Sequence, residues 1–132
     1  MKVIKSVAIK QVLTEKRKDQ LLNELHFEKE QVVKELEQLK FQLHKKIKQH
    51  TSHEQNHTLR NNFQKEIKQR EEKLRGIEFK VHQLNKLEIG TELRDGTVES
   101  ICEVKIGDNW DDIFSEAEII IKDGIVHEIR KG

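Results

Sequence analysis

Apolar side chains recur with two different periods along this chain of 132 residues. Residues 1–13 are rich in β-branched side chains at both odd-numbered and even-numbered positions, as in a strand that is apolar on both faces. From Leu22 to Leu43 the apolar spacing changes to alternating steps of three and four, with Lys29 counted as a polar member. The change of period predicts an N-terminal strand and then a long helix with one apolar seam, and Thr14 is its predicted N-cap.

A second seam runs along the sequence from Leu59 to Leu84, again with alternating steps of three and four apart from its first turn. Both seams are heptad repeats typical of coiled coils, and Glu, Lys, Gln and Arg fill the positions between their members. The seam members are Leu22, Leu25, Lys29, Val32, Leu36, Leu39 and Leu43 in the first, and Leu59, Phe63, Ile67, Arg70, Leu74, Ile77, Val81 and Leu84 in the second.

The segment between the two seams predicts how the helices connect. Thr51 with Glu54, or Ser52 with Gln55, forms a capping box that would begin a second helix at about residue 52. Two helices of about 35 residues then pair as an antiparallel hairpin with its tip near 49–53. The alternative is one continuous helix that pairs with a second chain, because no glycine precedes Gly76 and proline is absent. Self-association is expected in either case, since a two-helix seam buries little.

The C-terminal part has the alternating pattern of short strands. Asp-Gly pairs at 95–96 and 123–124 mark predicted turns. Residues 119–122 and 125–129 form the clearest predicted hairpin, and residues 97–105 form a third strand. These strands are too few for a stable sheet unless the N-terminal strand joins them.

The predicted fold class is therefore α+β. A long antiparallel coiled-coil helical hairpin is inserted into a small β-sheet or barrel made from the N-terminal strand and the C-terminal strands. Residues 1–13 form the N-terminal strand, residues 14–86 the hairpin and residues 87–132 the C-terminal β unit.

Several stretches resemble the YlqD family of uncharacterised bacterial proteins. They are "VAIKQVLTE", "LEQLKFQL", "IGTELRDGTVESICEVKIGDNWDD" and "IIIKDGIVHEIRKG", and the last two are the most specific. The resemblance implies no established activity, so it assigns no catalytic residue. It also implies a genomic neighbourhood of ribosome-maturation and tRNA-modification genes, which favours an RNA or ribosome connection.

Composition places the protein in the cytoplasm. The single cysteine, Cys102, cannot form an intramolecular disulfide, which fits a reducing compartment. The N-terminus lacks the features of a signal peptide, and no apolar run of 18 residues occurs. A soluble protein without membrane contact is the expectation.

His53, Glu54 and His57 match the H-E-x-x-H signature of zinc hydrolases. A hydrolase needs a third ligand and a dry cleft, whereas the flanking residues here are polar. His50, His53 and His57 are therefore weak metal candidates only, and a metal-dependent hydrolase is the distant alternative. With no phosphate-binding loop, dinucleotide motif or nucleophile elbow, we predict a protein that is not an enzyme, needs no cofactor and has no evident small-molecule substrate.

Charge is distributed unevenly along the chain. Residues 40–70 contain eight basic and two acidic residues, a net charge of +6, whereas residues 87–132 have a net charge of −7. A basic arm tip suits contact with phosphates, without base stacking because Phe41 and Phe63 are both assigned to the seam. The candidate contact residues for nucleic acid or a partner are Lys45, Lys46, Lys48, Arg60 and Lys65.

Trp110, in the acidic turn "GDNWDD", is the only tryptophan. We favour its burial against the small sheet, and if exposed it is a possible partner anchor. Together these patterns predict a non-enzymatic binding or scaffold protein that self-associates as a homo-oligomer through its coiled coil. The alternative is an RNA- or ribosome-associated factor that contacts phosphates with the basic arm tip.

Overall fold

A computed structural model describes residues 1–49 and 53–131, apart from the side chains of His53 and Gln55. Within these residues the chain is α+β, with two long helices, one short helix and four strands, which confirms the predicted class. The elements in chain order are β1 (Lys2–Val12), α1 (Glu15–Gln49), α2 (His53–Lys86), β2 (Glu92–Glu103), α3 (Trp110–Phe114), β3 (Ala117–Lys122) and β4 (Ile125–Arg130).

The chain divides into two compact units. One unit, here called the β unit, consists of Met1–Asp19 together with Leu87–Gly132. The other, here called the arm, is the intervening segment Gln20–Lys86, which contains most of both long helices.

The sheet of the β unit joins strands from both ends of the chain. Its order is β2-β1-β3-β4, with β1 antiparallel to β2 and parallel to β3. The N-terminal strand thus pairs with C-terminal strands, as the sequence predicts. Within the described residues β2 and β4 are open edges, so a closed barrel, the other form that the sequence allowed, is wrong.

The two Asp-Gly pairs have different structures. Asp123 (φ 48°) and Gly124 (φ 80°) both lie in the left-handed region that a two-residue hairpin turn requires, and they connect β3 to β4 as predicted. The turn predicted at Asp95–Gly96 is wrong. These two residues lie inside β2, opposite only Ile9 of β1, and form a β-bulge in which Gly96 has a φ of 91°.

Apolar residues of the two inner strands form the core of the β unit. Ile120 of β3 and Leu13, directly after β1, are fully buried, and Val7 and Ala8 of β1 are also buried. Backbone hydrogen bonds extend the pairing of β1 and β2 beyond the strand ends, because the Leu13 N–H donates to the Thr91 carbonyl at 2.8 Å.

Helix α1 begins at a capped end. The Arg17 N–H donates to the Thr14 hydroxyl at 3.0 Å, which confirms the predicted N-cap. Over the residues that the structure describes, neither long helix contains an apolar stretch long enough to cross a membrane.

Burial along the arm follows the two seams. Val32, Leu36 and Ile77 form its core, and the half-buried residues Leu25, Ile67 and Leu74 pack against them. The side chain of Phe41 is 68% exposed, so its assignment to the seam is wrong, whereas Phe63 is half-buried.

Two ion pairs fix the alignment of α1 with α2. Lys29 Nζ lies 3.6 Å from a carboxylate oxygen of Glu78, and Arg70 Nε donates to Glu35 at 3.1 Å. Residue numbers rise in α1 as they fall in α2, so the contacts run in opposite chain directions. The predicted tip near 49–53 includes residues 50–52, which lie outside the described residues.

Candidate interaction surfaces

Three phenylalanines on the arm are exposed to solvent. Phe27, Phe41 and Phe79 are 65%, 68% and 63% exposed, respectively. In heptads whose a and d positions are the seam members, all three occupy position f, the position farthest from the seam. The helix that places leucines on the seam therefore places these rings on the outside of the arm.

The alignment of the two helices places two of these rings at the same level along the arm. Because Lys29 pairs with Glu78, Phe27 of α1 is level with Phe79 of α2. Their f positions face away from the seam, so the rings lie on opposite outer sides of the arm. Phe41 lies two heptads beyond Phe27 on the same side of α1.

Charge changes sign along the outer side of α1. Towards the start of the helix this side carries the exposed acids Glu24, Glu30 and Glu37, with one exposed base, Lys34, among them. Towards its end it carries the exposed bases Lys45 and Lys48. Phe27 therefore lies among acids, and Phe41 lies where the acidic part meets the basic part.

The basic residues predicted for phosphate contact are all exposed. Among the described residues none of them forms an ion pair, although Lys46 Nζ lies 5.3 Å from the centre of the Phe63 ring. A cation held by no carboxylate keeps its charge available for a partner. These five residues are Lys45, Lys46, Lys48, Arg60 and Lys65.

The outer side of α2 in the same half of the arm is polar. Asn61, Asn62, Lys65 and Lys68 line a shallow depression there. Amide and ammonium groups of this kind donate hydrogen bonds to phosphate oxygens. Arg70, by contrast, is paired with Glu35.

A cluster of charged side chains joins the two edge strands of the sheet. Arg130 of β4 donates to both carboxylate oxygens of Glu92 of β2, at 2.7 and 2.6 Å. It also lies 3.4 Å from Glu118 and 3.1 Å from Glu128, and Lys10 lies 2.7 Å from Glu118. The cluster links strands that share no backbone hydrogen bond.

The pKa values in this cluster follow from its hydrogen bonds. The Arg130 hydrogen bond holds the pKa of Glu92 below its usual range, and the Lys10 hydrogen bond does the same to the pKa of Glu118. The hydrogen bonds to Glu92 and Glu128 raise the pKa of Arg130 above its usual range. These ion pairs stabilise the sheet by joining its two edge strands.

The histidine motif is only partly described. His50 and the side chain of His53 lie outside the described residues. His57 is exposed, and its Nε2 lies 3.4 Å from the Asn61 side-chain amide. In the described parts of the chain no group of three or more His, Cys, Asp or Glu side chains could hold a metal ion. The metal assignments remain predictions.

Trp110 is 62% exposed, so the favoured prediction of its burial is wrong. It begins α3, which Asn109 caps by accepting hydrogen bonds from the Asp111 and Asp112 N–H groups. Its ring packs on that of Phe114, with 4.1 Å between ring centres. The indole thus shields a neighbouring ring and leaves most of its own surface open to solvent.

Sequence reasoning missed the exposed phenylalanines of the arm and the Arg130 cluster. Counting heptad positions would have found Phe27, Phe41 and Phe79, since all three share position f. The Arg130 cluster had no such signal, because Glu92 and Arg130 meet only once the strand order is known.

Comparison with known proteins identifies a family and its fold. A family model described as "YlqD protein" matches residues 1–130. The Uncharacterized protein YlqD of Bacillus subtilis (strain 168) is 36% identical over 131 residues, which are 99% of this chain and 99% of that protein. A crystal structure of a protein of unknown function from Synechococcus sp. WH 8102 aligns with a TM-score of 0.80 over 98% of this chain and 96% of that one. At 22% identity this last likeness shows the fold alone.

Proposed function

The chain belongs to the YlqD family, and we propose that it is a non-enzymatic scaffold protein that self-associates through the outer side of its arm. The observation that carries this proposal is the exposure of Phe27, Phe41 and Phe79 at the outermost heptad positions. Exposed aromatic side chains that repeat along one element are typical of a surface that a protein partner covers. The family supplies no activity that would compete with this proposal.

The arm is, in this proposal, an antiparallel coiled-coil hairpin of residues 14–86 between the strand of residues 1–13 and the β unit of residues 87–132. Val32 of α1 and Ile77 of α2 are buried in one cluster between the two helices, which supports this pairing. Because this seam is filled within one chain, self-association uses the outer residues of the arm and not the seam. A reducing compartment, and hence the cytoplasm, fits the single Cys102.

Analytical ultracentrifugation of the purified chain between 1 and 200 µM tests self-association. We expect the sedimentation coefficient to rise with concentration, and we expect Phe27→Ala combined with Phe41→Ala to abolish the rise. The matched control is Val98→Ala, which shortens an exposed apolar side chain of the β unit. A wild-type chain that stays monomeric over the whole range refutes the proposal.

A second candidate is an RNA- or ribosome-associated factor, favoured by the exposed cations of the arm that form no ion pair with a described residue. Lysine and arginine near a phosphate backbone release counterions, so binding of this kind weakens steeply as salt rises. The Asn and Lys side chains on the outer side of α2 add hydrogen-bond donors in the same half of the arm. The protein would contact the backbone and the shape of the RNA. It would not stack on successive bases, because Phe27, Phe41 and Phe79 do not lie on one side of the arm.

Co-sedimentation with RNA and ribosomes at 50 and 200 mM salt tests this second candidate. The variant changes Lys45, Lys46, Lys48 and Arg60 to Gln, and we expect it to lose the salt-sensitive binding of the wild type. A control with the same loss of charge changes Lys73, Lys80, Lys86 and Arg75 to Gln, all exposed in the other half of the arm. Equal loss in both variants would show a general charge effect and contradict an assignment to the first four residues.

A further inference from the structure

The outer side of α1 is complementary to itself when a second copy is turned end to end. We propose that two copies of the chain pair through this side as an antiparallel dimer, with a two-fold axis at Lys34. The inference rests on the proposed self-association and specifies its surface, its direction and its register.

The spacing of the two exposed rings on α1 defines the axis. Phe27 and Phe41 are 14 residues apart, which is roughly 21 Å along a helix, and Lys34 lies midway between them. A two-fold axis through Lys34 places Phe27 of each copy against Phe41 of the other. The dimer therefore contains two equivalent contacts between Phe27 and Phe41, one at each end of the interface. Phe79 lies on the other side of the arm and stays exposed.

Charges on α1 match in this arrangement. Glu24 of one copy faces His44 of the other and comes within one helical turn of Lys45 and Lys48. At the centre, Lys34 of one copy faces Lys34 of the other, and acids of the opposite copy lie one turn before and one turn after this pair and offset its repulsion. These central acids are Glu30 and Glu37.

A parallel pairing of the same two sides reverses the electrostatics. It places Glu24 against Glu24, Lys45 against Lys45 and Lys48 against Lys48, and like charges at close range oppose association. The change of sign along α1 therefore selects the antiparallel direction.

The exposed rings supply a substantial part of the area that such a dimer needs. Four phenylalanine side chains, each 65–68% exposed in the single chain, contribute on the order of 500 Å². Specific interfaces begin at about 1,200 Å² in total. The aliphatic parts of the Gln, Glu and Lys side chains between the rings supply the remaining area.

Exchange of charges tests the register. We expect Glu24→Lys alone, or Lys45→Glu with Lys48→Glu, to raise the dissociation constant measured by sedimentation equilibrium at least about 10-fold. All three changes in one chain restore opposite charges at both ends, so the triple variant should return to within about 3-fold of the wild type. A triple variant weaker than either parent overturns the proposed register.

Ring truncation tests the surface. Phe27→Ala or Phe41→Ala removes a ring at both ends of the dimer and should weaken it at least about 10-fold. Phe79→Ala is the matched control, since it removes an equally exposed f-position ring from α2. Weakening by Phe79→Ala alone would show self-association through another side, which refutes this interface and leaves the proposed function standing. Circular dichroism at 222 nm verifies that each variant is folded.

A disulfide tests the direction of pairing. In a Cys102→Ser background, Lys34→Cys lies on the axis and should form an intermolecular disulfide on oxidation. Phe27→Cys should not, because its counterpart in the second copy lies roughly 21 Å away along the helix. Parallel pairing would also bring residue 34 of the two copies together, so Phe27→Cys is the variant that distinguishes the two directions. A Phe27→Cys disulfide would indicate parallel pairing and overturn the proposal. A wild-type chain that remains monomeric at 200 µM refutes this inference and the proposed function together.

Discussion

Ile77→Ala is the substitution that tests the packing of the arm most directly. Ile77 is 2% exposed and contacts the core that Val32 and Leu36 form on α1. Truncation of a buried isoleucine to alanine costs about 2–5 kcal/mol through lost burial and the cavity left behind. A layer of only two helices collapses into a cavity more readily than a thick core does, so we expect about 2–3 kcal/mol.

Urea and thermal unfolding followed by circular dichroism at 222 nm measure this loss, because α1 and α2 dominate the helical signal. For a cooperative unit of 60–100 residues the expected loss corresponds to a fall in Tm of roughly 10–20 °C. The control is Phe79→Ala, two residues along the same helix and 63% exposed. Its effect at low micromolar concentration should stay within about 0.5 kcal/mol.

Two results would refute the reasoning. A loss below about 1 kcal/mol for Ile77→Ala would mean that this side chain is not buried against α1 in solution. Equal losses for Ile77→Ala and Phe79→Ala would mean that the heptad position does not decide which side chains the arm buries.

Gly76→Ala should stabilise the arm by about 0.5–1 kcal/mol in the same unfolding experiment, since Gly76 lies inside α2 and an added Cβ meets no atom within 4 Å. Destabilisation would indicate an undetected close approach at this position. Arg130→Gln should lower the Tm at pH 7, because it removes hydrogen bonds that hold the pKa of Glu92, and in part that of Glu118, below the usual range. A lowered pKa in the folded protein contributes stability that is present above the unfolded value of about 4.3 and is lost as pH falls through the folded value. The difference in Tm between wild type and variant should therefore narrow below about pH 4.3, and a constant difference down to pH 2 would contradict this linkage.

Patterns carried by neighbouring residues predicted the structure well. The period of the seam requires only that apolar residues recur along one helix, and Val32, Leu36 and Ile77 are buried where it places them. The Asp123–Gly124 turn was equally local, because positive φ at both residues suits the short connection between β3 and β4.

Features that depend on distant strands could not be predicted in this way. The pair Asp95–Gly96 has the same two letters as the hairpin turn, yet it forms a bulge because β1, from the other end of the chain, supplies one residue opposite two. The meeting of Arg130 with Glu92 depends in the same way on the order of four strands.

The candidate surface was predicted in part. The basic residues near Lys48 are exposed, as the lack of apolar neighbours indicates. Phe41 was assigned to the seam because it is apolar, although it falls between Leu39 and Leu43 and hence outside the alternation of threes and fours. Trp110 was expected to fill the small sheet, but Leu13 and Ile120 fill that core and the indole remains outside it.

The position of β1 inside the sheet affects the order in which the protein folds during synthesis. Val12 pairs with Glu92 and Lys2 pairs with Glu103, so this apolar strand leaves the ribosome at least 80 residues before its first partner. The arm is made in between, and pairing of its helices brings the two ends of that long segment together, which lowers the entropic cost of closing the loop. Any change that delays the arm therefore prolongs the time for which β1 is an unpaired, aggregation-prone strand on the nascent chain.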